Sequence, residues 1–379
     1  MKSFELNIRT RVYFGKNITF EALKKERTLL SGNVIIITTG RSLNTLGYVE
    51  KLKNDILSLG SSEVITFENI SPNPKLSEIK TAIELGKINK VNVVIGFGGG
   101  SAIDAAKAAA AGIGYNGDIE DFLFERNQPE IETLPIIAIP TTAGTGSELS
   151  KGAIISSAEH KIKKGIRGDV LLPSVAIVDT EYTYSVPKQV TMETGFDVLA
   201  HAVESYVSVK SNRFSEMLSR EAIHIVGECL NNLREDLQNK AARDKMCYAS
   251  MIMGINLANI GTCLPHRMQY PIGAITDTSH AAGLAALYPS WIMYEYDYNK
   301  KKINDIFKWL SLGEAGDGTH AKIKMKKYLE HLGLGYRLQD FGINYDKVKE
   351  LSEAVSGNIY NDKLSEKKNI INTIFEDSI

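Results

Sequence analysis

Short apolar runs separated by amphipathic stretches pattern the first half of the chain. Residues 34–37 (VIII) are β-branched and lead into Thr38-Thr39-Gly40, which predicts a buried strand meeting a turn. A helical pattern over 48–59 precedes a second strand at 63–67 (EVITF). A third, at 91–97 (VNVVIGF), runs straight into Gly98-Gly99-Gly100-Ser101. The Ala-rich stretch 102–111 reads as helix. Residues 134–139 (LPIIAI) then enter Pro140-Thr141-Thr142-Ala143-Gly144-Thr145-Gly146-Ser147, and 175–178 (VAIV) close on Asp179. Apolar strands alternating with helices specify a largely parallel sheet covered on both faces.

Beyond Pro187 the period lengthens. Phe196, Leu199, Val203 and Tyr206 fall three or four residues apart within 191–207, a helical spacing. Stretches 215–233 and 242–257 read the same way, and no strand is predicted from Lys188 to Ile379. The expectation is an α/β domain over 1–187 and an all-helical domain over 188–379.

Composition narrows the function classes. The 379 residues carry 44 Lys+Arg against 45 Asp+Glu, a net charge of -1, so a generally basic surface for nucleic acid is absent. With 43% hydrophobic residues the chain has ample material for a core, which excludes disorder. Three cysteines, Cys229, Cys247 and Cys263, lack CxxC spacing and predict reduced thiols. No stretch reaches the roughly 18 apolar residues a membrane span needs. The segment MKSFELNIRTRVYFG lacks the apolar core of a signal peptide. These features predict a soluble, cytoplasmic protein with no membrane partner.

Two loops at strand ends suit phosphate. Gly98, Gly99, Gly100 and Ser101 precede a helix, where glycines admit close approach of a phosphate and the free N–H groups carry partial positive charge. Thr141 to Ser147 repeats the theme with hydroxyls and two glycines. Their spacing is not the GxGxxG fingerprint, yet two such loops favour a nucleotide site at the sheet edge. After the first strand, Thr39-Gly40-Arg41 holds no acid to bind a ribose 2′-hydroxyl, whereas Arg41 suits a 2′-phosphate.

Asp197 and His201, four apart on a helix, share a face and can share an ion. His266 and His280 would lie about 21 Å apart on one straight helix. Pro271 and Gly273 between them are expected to break it and let the chain return. One carboxylate and three imidazoles suit Fe²⁺ or Zn²⁺.

The segments GFGGGSAIDAAKAAA (96–110), PTTAGTGSE (140–148), GFDVLAHAVESY (195–206) and the stretch from His266 through His280 to GLAALYP (283–289) together resemble the iron-containing (group III) alcohol dehydrogenases. The likeness spans essentially the whole chain. It implies the dehydroquinate synthase-like fold of that family: an α/β N-terminal dinucleotide-binding domain and an all-α C-terminal domain. By resemblance, Asp197, His201, His266 and His280 occupy the metal-ligand positions. Gly98, Gly99, Gly100, Ser101 and Asp104 match the diphosphate loop, Thr141, Thr142 and Thr145 the second cofactor loop, and Asn73 and Lys163 also approach the cofactor. The implied chemistry is direct hydride transfer between a nicotinamide cofactor and a small alcohol or aldehyde, with the metal as Lewis acid. A homodimer through the N-terminal strand segment is implied as well.

Three departures from the family pattern sharpen the expectation. Thr39-Gly40-Arg41 replaces an Asp common in NAD-using members, which favours NADP(H) over NAD(H). Tyr270 stands where many members carry a proton-relaying His, and a tyrosine hydroxyl is a less ready proton carrier at neutral pH; it remains a candidate to line the pocket or hydrogen-bond the substrate oxygen. Arg267, directly after a ligand position, is a candidate for an acidic group on the substrate. Glycerol dehydrogenase-like polyol oxidation, reduction of a specialised acidic aldehyde, and a cofactor-binding non-catalytic homologue are the alternatives. The PTTAGTGSE and ligand segments disfavour dehydroquinate synthase itself.

Overall fold

Strand-forming runs of Val and Ile build a six-stranded, all-parallel sheet in the computed structural model, which describes residues 3–39, 41–130 and 132–379. The strands are β1 (Arg11–Gly15), β2 (Asn33–Ile37), β3 (Glu63–Phe67), β4 (Val91–Gly98), β5 (Ile136–Pro140) and β8 (Val175–Asp179), in the order β1-β8-β5-β4-β2-β3. A separate antiparallel hairpin joins β6 (Gly152–Ser157) to β7 (Ile162–Arg167). Helices α1 (Thr19–Lys25), α2 (Arg41–Thr45), α3 (Tyr48–Ser58), α4 (Leu76–Ile88), α5 (Gly100–Gly114) and α6 (Glu120–Leu123) complete this half. Both sheet faces are buried, so successive residues serve different cores. Val34 and Ile36 pack on one side with Val93 and Ile95, and Ile35 and Ile37 on the other with Val94. That is why the strands read as continuous apolar runs rather than alternating ones.

The remaining helices are α7 (Lys188–Val207), α8 (Arg213–Glu235), α9 (Lys240–Asn259), α10 (Leu264–Thr276), α11 (His280–Trp309), α12 (Gly318–His331), α13 (Tyr345–Ala354) and α14 (Ile370–Glu376). No strand occurs among the described residues after Lys188. Contacts gather the chain into two units. One holds 7–142 and 146–185; the other holds 186–379, residues 143–145 and the described residues through Leu6. Thr145 therefore belongs with the helical unit rather than the α/β one. Gly144 explains it, since a Cβ there would come 2.8 Å from the Cβ of Thr194 on α7. No single helix among the described residues is long and apolar enough to cross a membrane.

The apolar-run pattern locates β2, β3, β4, β5 and β8 to within two residues and gives no bounds for β1. β5 begins at Ile136 because Pro135 offers no N–H to the ladder. The β6–β7 hairpin was not expected: its strands mix Ser, Lys and Gly with four isoleucines, too little apolar signal to stand out.

Helix α5 explains the glycines at the end of β4. A Cβ at Gly96 would lie 2.9 Å from the Cβ of Ala106, and one at Gly98 would lie 2.8 Å from that of Ala102. The Ala-rich helix can then lie directly on the strand. Its one lysine, Lys107, is fully buried. Its ammonium donates to Ser147 Oγ at 2.9 Å, Ser150 O at 2.9 Å, Ser150 Oγ at 3.0 Å and Gly152 O at 3.0 Å. Asp104, one turn earlier, accepts from Ser147 Oγ, and from the Ile154 N–H at 2.9 Å. Burial pushes the Lys107 ammonium down to about 8, against the pull of Asp104 and Glu148. One helix turn thus fastens the segment 147–154 through a fully partnered buried charge. Lys107→Met strands Asp104 and several acceptors at once, and unfolding in urea should show a loss of about 3–5 kcal/mol. Lys80→Met, at a solvent-exposed pair with Asp118 and Glu120, should cost less than about 1 kcal/mol in the same titration.

Candidate functional site

Within the α/β unit, the chain steps from β2 outward to β3 and then back across β2 to β4. The C-terminal ends of β2 and β4 therefore flank a topological switch point, where parallel sheets bind ligands. Thr39 and Arg41 follow β2; Gly98 to Ser101 follow β4; Thr141 and Thr142 follow β5. Thr141 is tied to the glycine loop by its N–H to Gly98 O at 2.9 Å. Gly40 lies outside the described residues. Asn73 and Lys163, distant in sequence, meet in a buried bond of 2.8 Å from Lys163 Nζ to Asn73 Oδ1. Ser101 Oγ donates to the carbonyl of Pro72, which moors the SPNP segment to the start of α5. Arg41 is exposed at the first position of α2, and the nearby Asn44 side chain donates to Glu68 at the end of β3.

The helical unit assembles the second constellation. Helix α7 places Asp197, His201 and Glu204 at i, i+4 and i+7, one face of the helix. Helix α10 brings His266, and His280 is the first residue of α11. Asp197 Oδ1 lies 3.7 Å from His201 Nδ1, 3.5 Å from His266 Nε2 and 3.6 Å from His280 Nε2. Asp197, His201 and His266 each offer an atom within 4.8 Å of the others. All three are at least 96% buried. Asp197 Oδ1, His201 Nδ1 and His266 Nε2 have no hydrogen-bond partner. Polar atoms orphaned together at such depth are costly unless a further group satisfies them. A divalent cation fits: the atoms converge on one point, are too far apart to bond one another, and form a carboxylate–imidazole donor set.

Sequence reasoning left the supports of this set unassigned. Glu204, fully buried, faces His266 Nδ1 at 2.6 Å through one oxygen and accepts the Cys263 N–H at 2.7 Å through the other. Gln269 Oε1 meets His280 Nδ1 at 2.6 Å. Each contact holds a proton on Nδ1 and leaves Nε2 turned toward Asp197. Gly283 leaves the room Gln269 needs, since a Cβ there would lie 3.0 Å from its Cγ. A carboxylate within the buried run Ala200–Ser205 was the available signal for Glu204.

Charge agrees with this arrangement. Burial opposes ionisation of Asp197, yet the three histidines hold its carboxyl well below the usual range. Burial likewise opposes a charged His266, but Glu204 and Asp197 push it up to about 10. The field that attracts a proton there attracts a metal cation, and the two compete.

The expected break at Pro271 and Gly273 does not occur. Helix α10 runs through Pro271 to Thr276, and the chain reverses at Asp277, which is left-handed at φ +53°. Ser279 then caps α11 by accepting from the Ala282 N–H at 3.2 Å. With α10 continuous, Arg267 and Tyr270 sit one turn apart. The Arg267 guanidinium lies 5.6 Å over the Tyr270 ring, which stacks with His280 at 6.4 Å. The other histidines, His160, His224, His320 and His331, have contacts of their own with Glu120, Trp309, Gly316 and Asn231. Glu204→Gln should lower metal affinity about 10- to 100-fold, read by competition with a chromogenic chelator, because the amide anchors His266 less strongly.

A profile described as iron-containing alcohol dehydrogenase matches residues 9–180, and one described as the C-terminal part of the Fe-containing alcohol dehydrogenase family matches 191–378. A probable NADH-dependent butanol dehydrogenase of Bacillus subtilis (strain 168) is 27% identical over 369 residues, covering 94% of each chain. The mitochondrial hydroxyacid-oxoacid transhydrogenase of Caenorhabditis elegans is 29% identical over 412 residues, covering 97% of this chain and 88% of that one. Among solved structures, an alcohol dehydrogenase from an archaeal halo-thermophile of a Red Sea brine pool matches with a TM-score of 0.92 at 27% identity, over 100% of both chains.

Proposed function

We propose, for a chain that belongs to the iron-containing alcohol dehydrogenase family, metal-dependent hydride transfer between a nicotinamide cofactor and a primary alcohol or its aldehyde. The observation that carries this reading is the set of orphaned buried atoms of Asp197, His201 and His266, with His280 beside them. Asp197, His201, His266 and His280 would hold Fe²⁺, with Zn²⁺ served by the same donors. When bound, the metal supplies Lewis-acid stabilisation of charge on the substrate oxygen, and the nicotinamide supplies or accepts the hydride.

The chain's own residues do the rest. Glu204 and Gln269 hold the imidazoles in the ligating tautomer. His280, the most exposed of the four with 26% of its side chain accessible, leaves the approach for a small carbonyl compound. Tyr270, stacked on His280, forms a wall of that approach. In the α/β unit, the N–H groups of Gly99, Gly100 and Ser101 at the start of α5 would take the diphosphate. Asp104, Thr141, Thr142, Thr145, Asn73 and Lys163 complete the cofactor set.

NADP(H) is the preferred cofactor in this reading, because Arg41 stands after β2 with no acid on Thr38, Thr39 or Ser42 to repel a 2′-phosphate. The B. subtilis relative is named for NADH, so the choice rests on these residues. Cys229, Cys247 and Cys263 are buried and form no disulfide among the described residues, which accords with a reducing cytoplasm. Edge strand β1, with Val12 and Phe14 exposed, offers a second copy the surface for a homodimer.

The deciding experiment is anaerobic oxidation of NADPH and NADH by protein loaded with Fe²⁺ or Zn²⁺, over a panel of short aldehydes. Turnover only in the metal-loaded samples, with NADPH ahead, supports the reading; cofactor binding without turnover on any carbonyl defeats it. His266→Ala should lose both bound metal and activity, and a metal-replete, active variant would remove His266 from the ligand set. Arg41→Ala should raise the Kd of NADPH about 10- to 100-fold while sparing NADH. Equal weakening of both would free Arg41 of any phosphate role.

A further inference from the structure

Arg267 is 95% buried, yet it makes no hydrogen bond or ion pair among the described residues, and its Nε is an orphaned buried donor. Buried guanidinium groups are ordinarily paired, because desolvating the charge costs several kcal/mol. The nearby acids are engaged elsewhere. Glu204 is committed to His266 and Cys263. Asp362 accepts from Trp291 Nε1 at 2.8 Å, from the Leu264 N–H at 3.3 Å and from the Leu364 N–H at 2.9 Å. Glu295 accepts from Asn299, and burial pushes its carboxyl well up toward the neutral form.

The guanidinium is nevertheless held in place. It lies over Tyr270, and on another side it meets Gly357, where a Cβ would come 3.5 Å from one terminal nitrogen. The loop carrying Gly357 is pinned to the start of α10: Asn361 Nδ2 donates to Ile260 O at 3.0 Å and to Thr262 O at 3.1 Å. A stiff, buried cation without a counter-ion is a preorganised anion site. Tyr270 links it to the histidine cluster, since the same ring stacks on His280, whose Nε2 faces Asp197 at 3.6 Å. Tyr270 is thus in contact with both groups, 5.6 Å from the guanidinium and 6.4 Å from the His280 ring, which bounds their separation.

We propose that Arg267 binds a carboxylate on the substrate, so that the substrate class is a short aldehyde or ketone that also carries an acid group. This rests on the dehydrogenase reading above and narrows it. The carbonyl end faces the histidine cluster, the carboxylate end forms the charge-assisted bonds that Arg267 lacks, and Tyr270 separates the two. A neutral substrate of the same length leaves the guanidinium desolvated and unpaired, and sites built for a polar group reject analogues lacking it strongly.

The test compares 4-oxobutanoate with butanal, matched in length, using full-length metal-loaded protein and saturating reduced cofactor. The wild type should prefer the acid by about 100-fold or more in kcat/KM. Arg267→Gln should collapse that ratio through KM for the acid, and Arg267→Lys should restore part of it. Calorimetry with 4-hydroxybutanoate and butan-1-ol reads binding without turnover: the acid alcohol should bind the wild type and lose most of its affinity in Arg267→Gln. Butanal reduced as well as 4-oxobutanoate by the wild type overturns the proposal and leaves the dehydrogenase reading standing. So does a preference that Arg267→Gln leaves intact. If neither carbonyl is reduced, the dehydrogenase reading falls, and the calorimetry alone decides whether Arg267 is an anion site.

Discussion

A carboxylate buried among three imidazoles is the constraint around which the helical unit is organised. Asp197 is 3% exposed, and its Oδ1 has no hydrogen-bond partner among the described residues. Three helices must end or cross at that point for the imidazoles to reach it. Helix α7 supplies Asp197 and His201 from one face, α10 supplies His266, and the left-handed Asp277 turns the chain so that α11 can begin with His280. Held only by packing, such a cluster would scatter, because each ring could turn its nitrogens away. Glu204 and Gln269 prevent that by occupying the Nδ1 side of His266 and His280.

The same economy governs the α/β unit, where a buried lysine is the organising charge. Lys107 and Asp104 lie one turn apart on α5 and together fasten the residues after the second cofactor loop. Glycines at 96 and 98 let that helix lie close enough to β4 for its N-terminus to follow the strand directly. The helix start there is a consequence of packing: small residues bring the helix down onto the strand end.

Arg267 differs from most of the buried charges outside the histidine cluster. Lys107, Asp104, Glu204 and Asp362 all have their hydrogen bonds answered within the fold, as burial demands. Arg267 does not, although Gly357, Tyr270 and the tethered 355–361 loop hold it firmly. A buried guanidinium whose Nε is left without a partner is a cost that folding alone gives no reason to carry, and Tyr270 links it to the histidine cluster.

Much of this was readable along the chain. Apolar runs mark the parallel strands because both sheet faces are covered, and the 3.6 period marks the helices because each buries a stripe. The Gly98–Ser101 and Thr141–Ser147 loops and the Asp197/His201 pair are local patterns, legible where the partners are neighbours in sequence. Tertiary structure decided the rest. Helix α10 runs through Pro271, and the reversal waits for Asp277, because packing outweighs local propensity. The hairpin β6–β7 pairs strands too polar to announce themselves, and residues 143–145 join the helical unit through Gly144 and Thr194. Glu204, Gln269 and Lys107 gain their roles from partners 11 to 62 residues away. A side chain's identity fixes which bonds it can make, but whether it makes them depends on the distance and burial that only the folded chain sets.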